Sequence, residues 1–212
     1  GKAQGRAVEP ELFDGRLLGE DLAMLRPPVI PIPAGLSFTA GEYQQLGLVK
    51  RTWQGKKTAL NIGLRLIGAR LTGKKILMMG QALIGRLRLS LKKRNIPLWL
   101  NTALQDLLIE DGRVTGIKVT KDGQALTLRA TKGVLLAAGC FAHNLEMRLQ
   151  YQKHPITTDW TVASDGNTGD GIQAGLRAGA AIDLMEEAWW GPSSLPPGAP
   201  PFFHVAERGL PG

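Results

Sequence analysis

The residues best placed to do chemistry lie in Gly166-Asn167-Thr168-Gly169-Asp170-Gly171. Three glycines let a backbone approach a ligand closely and leave amide donors open. The spacing of Ile172 and Leu176 predicts a helix whose N-terminus points at the same place. Open amides and the positive end of a helix dipole together make a seat for carbonyl or phosphate oxygens. Asn167 or Thr168 would cap that helix. Asp170, in its first turn, would stabilise the end or accept a hydrogen bond from a ligand hydroxyl. An ordinary capped helix whose glycines allow close packing on a strand fits the same letters, so spacing leaves both readings open. The second candidate is GVLLAAG, residues 133–139, followed by Cys140. A continuous apolar run predicts a strand covered on both faces, as in a parallel sheet. At the end of such a strand Cys140 reads as a small buried packing residue rather than a nucleophile.

Other chemistries are poorly supplied. No GxGxxG occurs in the 212 residues, so the usual phosphate turn of a dinucleotide domain is missing. GARLTGKK, residues 68–75, matches G-x-x-x-x-G-K but lacks the following Ser or Thr. It also follows a helical pattern where a phosphate loop needs a strand, so it reads as a basic helix end. His143, His154, His204 and Cys140 share no ligand spacing, and there is no HExxH or CxxC. Neither tyrosine, Tyr43 or Tyr151, lies in a motif that marks an acid or base.

The elements that must position these residues follow from periodicity. Residues 1–40 read as irregular, with Pro27, Pro28, Pro31 and Pro33 around Val29, Ile30 and Ile32. Leu and Ile recur at helical steps over 58–71, and QALIGRLRLSLKKR, 81–94, predicts a helix with a basic last turn and Asn95 as C-cap. KILMMG, 75–80, predicts a short strand or turn, and PLWLN, 97–101, a strand. Runs at 102–110, 114–120 and 124–131 are separated by Asp111-Gly112 and Asp122-Gly123, which predicts a three-stranded antiparallel meander. A polar helix is expected over 144–152. From Trp189 the chain turns rich in Pro and Gly, as a linker or the entry to another domain would.

Composition bounds the rest. The hydrophobic share is 43% and the charged share 21%, which is globular. No apolar run approaches the roughly 20 residues of a membrane-spanning helix, and GKAQGRAVEP has no apolar export core. A single cysteine permits no internal disulfide and agrees with a cytoplasmic, reducing setting. The net charge of +8 is unevenly placed: no Asp or Glu occurs from Tyr43 to Gln105 while thirteen Lys and Arg do. Such a field attracts anions, so a basic module for nucleic acid or an anionic membrane surface is a competing reading. Trp53 and Trp99 are the only aromatics from Arg51 to Leu104, which supplies base stacking poorly and argues against specific nucleic-acid binding.

GVLLAAGCF, 133–141, followed by TGDG and Gly179-Ala180, resembles the FAD-dependent fumarate reductase and succinate dehydrogenase flavoprotein superfamily. SDGNTGDGI, then EEAWWGP at 186–192 and AERGLPG near the end, together with FDGRLLGEDLAMLRPP at 13–28, resembles its 3-ketosteroid Δ1-dehydrogenase branch. The resemblance covers the middle of such a protein, so the chain is expected to be an internal piece lacking the GxGxxG lobe and the C-terminal return. It implies an α/β fold: a partial FAD-binding domain over 1–185 (1–57 being a lead-in), with a parallel core plus the meander, and the start of a cap domain over 186–212. It implies FAD as cofactor and hydride transfer from a substrate C–H bond to flavin N5, with a small, steroid-like molecule as partner and room for an oligomer. By the same resemblance Leu104 presents its backbone to the adenine, Ala138 and Gly139 let the chain pass close to the cofactor, and Asn167, Thr168, Gly169 and Asp170 lie near the flavin. Cys140 stands where the family usually has a second glycine. The catalytic tyrosines map onto neither Tyr43 nor Tyr151, so no catalytic residue is assigned. An inert relative keeping only the scaffold fits the same resemblance.

Overall fold

The computed structural model describes residues 8–28, 35–198 and 201–203. It divides into two compact units, Gly1–Leu98 and Trp99–Gly212.

In the first unit, strand β1 (Phe13–Asp14) pairs antiparallel with β2 (Ile76–Leu77). Between them come a 3₁₀ segment (Gly15–Met24, kinked at Gly19), α1 (Ala40–Leu46) and α2 (Trp53–Thr72). Helix α3 (Met79–Lys93) follows β2. The lead-in expected to be irregular thus contains a strand, because Phe13 finds its partner Leu77 far along the chain, where local patterning gives no sign of it. The expected irregularity at Pro31 and Pro33, with Val29, Ile30 and Ile32, lies outside the described residues.

Each helix start has a physical cause. Thr39 and Glu42 form a capping box on α1: the Thr39 hydroxyl accepts from Glu42 N at 3.2 Å and the Glu42 carboxylate accepts from Thr39 N at 3.0 Å. The Thr52 hydroxyl accepts from Gly55 N at 3.0 Å and starts α2 ahead of the expected run. Helix α2 stops at Gly73, in the left-handed region at φ 63°. GARLTGKK is therefore a helix end, not a strand-loop-helix. Helix α3 is capped by Arg94 rather than Asn95, which follows it at φ 53°. Phe13, Leu18 and Ala82 form the core, wrapped by Leu22, Leu25, Leu77 and Leu89.

In the second unit, β3 (Thr102–Glu110), β4 (Arg113–Lys121) and β5 (Gln124–Arg129) form the expected meander in that order. Asp111-Gly112 (φ 49°, 72°) and Asp122-Gly123 (φ 49°, 84°) turn the two hairpins, both residues of each pair at positive φ as type I′ requires. Helix α4 (Leu145–Tyr151), a 3₁₀ turn (Thr158–Trp160) and α5 (Asp170–Arg177) follow, and β6 (Ser193–Ser194) pairs with β7 (Phe202–Phe203).

Two expected strands do not form. Residues 97–101 are exposed and join no strand ladder; Pro97 lacks a donor and Asn101 turns at φ 50°. Residues 133–139 have no ladder partner, and all three sheets among the described residues are antiparallel, so the parallel core is not formed within them. A parallel strand needs a neighbour delivered by a crossover, and no described segment supplies one. Leu135 is accordingly 89% exposed.

Candidate functional site

The turn after residue 139 and the glycine segment are tied together by three hydrogen bonds. Gly169 N donates to Cys140 O at 3.1 Å, His143 N to Asn167 O at 2.9 Å, and Asn144 Nδ2 to Thr168 O at 2.9 Å. Asn144 also caps α4, its Oδ1 accepting from Met147 N at 3.0 Å. One side chain thus starts a helix and pins the loop opposite.

The glycines here are sterically demanded. Gly139 sits at φ 83°, and a Cβ on it would run into the Asn167 side-chain oxygen. Gly169 sits at φ 81°; a Cβ there would lie 2.5 Å from Met147 Sδ and 3.0 Å from Phe141 Cβ. A Cβ on Gly171 would come within 3.1 Å of Ala138 Cβ. The structure therefore brings Ala138, Gly139, Asn167, Thr168, Gly169 and Asp170 into one turn. The cap of α5 is Gly169, not Asn167 or Thr168: the Asn167 side chain lies against Gly139, and the Thr168 hydroxyl donates to Asp170 Oδ1 at 3.0 Å. Asp170 itself is exposed.

A shallow trough of about 250 Å³ opens here, with Leu136, Ala138 and Gly139 on one side and Gly171, Ile172 and Gly175 on the other. The amides of Asp170, Gly171 and Ile172, first in α5, have no intrahelical acceptor. A trough floored by Ala and Gly, with donors at its end, fits the edge and carbonyl oxygens of a flat ring such as a flavin. A pyrophosphate turn is not part of it. Leu104 stands apart. It lies on the edge strand β3, where the register slips between Leu104 and Asp106, and Arg177 at the far end of α5 donates to Gln105 O at 2.9 Å and Asp106 Oδ1 at 3.2 Å. Eight residues of helix separate that end from Gly169 by about 12 Å.

Two features were not legible in the sequence. Arg148 is 5% exposed and meets no carboxylate among the described residues; it donates to Ala142 O at 3.1 Å and Gln152 Oε1 at 3.0 Å. Burial lowers its pKa, opposed by the nearby Cys140 thiol. It braces the loop between Gly139 and α4. Cys140 is exposed, not buried as expected, because the run it ends is itself uncovered. A hydrogen bond from Leu107 N and the Arg177 guanidinium hold the Asp106 carboxyl below its usual range, against desolvation.

Comparison with known proteins agrees with this geometry. A family model described as FAD binding domain matches residues 2–212. The chain is 45% identical to the 3-oxosteroid 1-dehydrogenase of Mycolicibacterium smegmatis, over all of this chain and 38% of that protein. It is 43% identical to the enzyme of the same name from Mycobacterium tuberculosis, with the same coverage. The crystal structure of 3-ketosteroid delta1-dehydrogenase from Sterolibacterium denitrificans, in complex with 1,4-androstadiene-3,17-dione, superposes with a TM-score of 0.83 at 39% identity, covering 100% of this chain and 40% of that one. The chain thus spans about two fifths of the length of these relatives. A trough floored by glycine and alanine, amides left open at a helix mouth, and a family model and relatives that match this chain along its whole length lead to one conclusion: the chain belongs to the FAD binding domain family of flavoproteins.

Proposed function

We propose that this chain is the flavin- and adenine-contacting part of an FAD-dependent oxidoreductase acting on a CH–CH bond of a 3-oxosteroid-like substrate. The observation that carries the reading is the glycine turn at 167–171, bonded to Cys140 and Asn144 and opening at Gly171 onto the trough lined by Ala138 and Gly139. FAD, held by these residues, would supply the hydride acceptor. The chain's residues bind and orient. Ala138, Gly139 and Gly171 admit the ring edge, the first amides of α5 receive a carbonyl oxygen, and Asn144 and Arg148 hold the turn in register. Leu104 offers the edge of β3 to the adenine. No residue of this chain is assigned to move a proton. Residues 186–212 begin the substrate-covering domain, and a cytoplasmic setting suits the exposed Cys140 thiol. The steroid class is supported by the relatives' enzyme names and by the dione in the Sterolibacterium complex.

Titration with FAD tests the reading. The 212-residue chain, which holds no pyrophosphate turn, should bind FAD only weakly, and Gly171→Leu should remove even that binding. Sub-micromolar quenching by the chain alone would defeat the claim of a partial site. Binding untouched by Gly171→Leu would show that the trough is not where flavin sits.

A further inference from the structure

We infer that Arg177 positions the adenine end of the cofactor, by fixing the bulge in β3 beside Leu104. The inference rests on the flavin reading above and extends it to a residue outside the trough. Leu104 faces Val119 across the hairpin and Asp106 faces Lys118, so Gln105 is one residue too many for β4. Such an extra residue is a bulge, and its backbone carbonyl is left out of the ladder. Arg177 Nη2 donates to that carbonyl at 2.9 Å, and its Nε donates to Asp106 Oδ1 at 3.2 Å. Asp106 Oδ1 also accepts from Leu107 N at 2.9 Å. One guanidinium therefore spans both residues that follow Leu104, as the rigid donor fork of arginine allows.

The bulge decides which backbone groups of β3 face outward. Among the described residues β3 pairs only with β4, so its other edge offers backbone donors and acceptors to a ligand. Moving the extra residue by one position turns the strand over, and the groups that Leu104 shows to the outside would turn toward β4. An adenine read by main-chain contacts at Leu104 needs that choice made before it arrives. Stability does not account for the bonds. The Arg177 and Asp106 side chains are 49 and 42% exposed, and an ion pair so open to water adds little to a fold. Their place in the chain gives them a use. Helix α5 starts in the glycine turn, at Gly169 and Asp170, and ends at Arg177. The same rod thus serves the flavin end through its first residues and the adenine end through its last.

Equilibrium dialysis of the 212-residue chain against FAD, and against FMN, which has the ring and lacks the adenosine, separates the two ends. The parent should hold FAD more tightly than FMN. Arg177→Ala should weaken FAD binding roughly tenfold, the size expected for lost charge-assisted hydrogen bonds. It should change FMN binding by less than about twofold, because distant sites act independently. Arg177→Lys, a point charge without the fork, should fall close to Ala. Gly171→Leu should weaken both flavins. Arg177→Gln takes the place of Ala if that variant does not match the parent by circular dichroism. Equal loss of FAD and FMN in Arg177→Ala, or FAD binding left unchanged, overturns the inference. So does full FAD binding by Arg177→Lys, which would mean simple attraction to the phosphates. A parent that holds FMN as tightly as FAD also overturns it, with the trough reading intact if Gly171→Leu still weakens both. A parent that binds neither flavin defeats the flavin reading itself, and the inference with it.

Discussion

Asn144 shows how much one short side chain can hold. Its oxygen caps α4 and its amide nitrogen reaches the Thr168 carbonyl. Asn144→Ala removes both bonds and should cost about 1–3 kcal/mol. Asn144→Asp keeps the cap but loses the donor, so its melting point should fall between that of Ala and the parent. Gly169→Ala should be worse than an ordinary surface change, because the left-handed backbone costs about 1–2 kcal/mol for a residue with a Cβ and the methyl meets Met147 Sδ and Phe141. Chemical denaturation reads both, and loss of FAD contact should accompany the Gly169 change. The glycine string was legible because positive φ and close approach leave a mark in residue type. Asn144 was not, because it acts on Thr168 across 24 residues, beyond any local pattern.

At the level of elements, the hairpins were legible for the same kind of reason: Asp-Gly at both turns fixes turn type and register together. Helix α2 was only partly legible, since its outer apolar line and inner small residues overlay two patterns on one cylinder. The strand expected at 133–139 failed because apolar content reports what a segment would pair with, not whether the partner is at hand. The α1–α2 pair makes a pH prediction. The Arg65 guanidinium and the Thr39 amide hold the Glu42 carboxyl below its usual 4.5, against desolvation. A carboxylate favoured in the fold adds stability above its unfolded pKa and loses it as pH falls through the folded value. Unfolding of the first unit should therefore become easier on going from about pH 5 to about pH 3. Glu42→Gln should flatten that part of the profile while lowering stability at neutral pH. A variant that keeps the full slope would show that Glu42 carries none of it.

At the scale of the whole chain, the two units differ in what they offer. The second carries the trough and the amides; the first carries the thirteen Lys and Arg of the acid-free run. Family membership explains the second directly, through the glycine turn.

Residues 133–139 have a practical consequence. A run of Val, Leu and Ala with its peptide groups unclaimed is a template on which another chain can hydrogen-bond. Produced by itself, the 212-residue polypeptide should clump as it is concentrated, with light scattering rising steeply and thioflavin staining following. Leu135→Lys, placed on a side chain 89% exposed, should keep the solution clear without changing the melting curve.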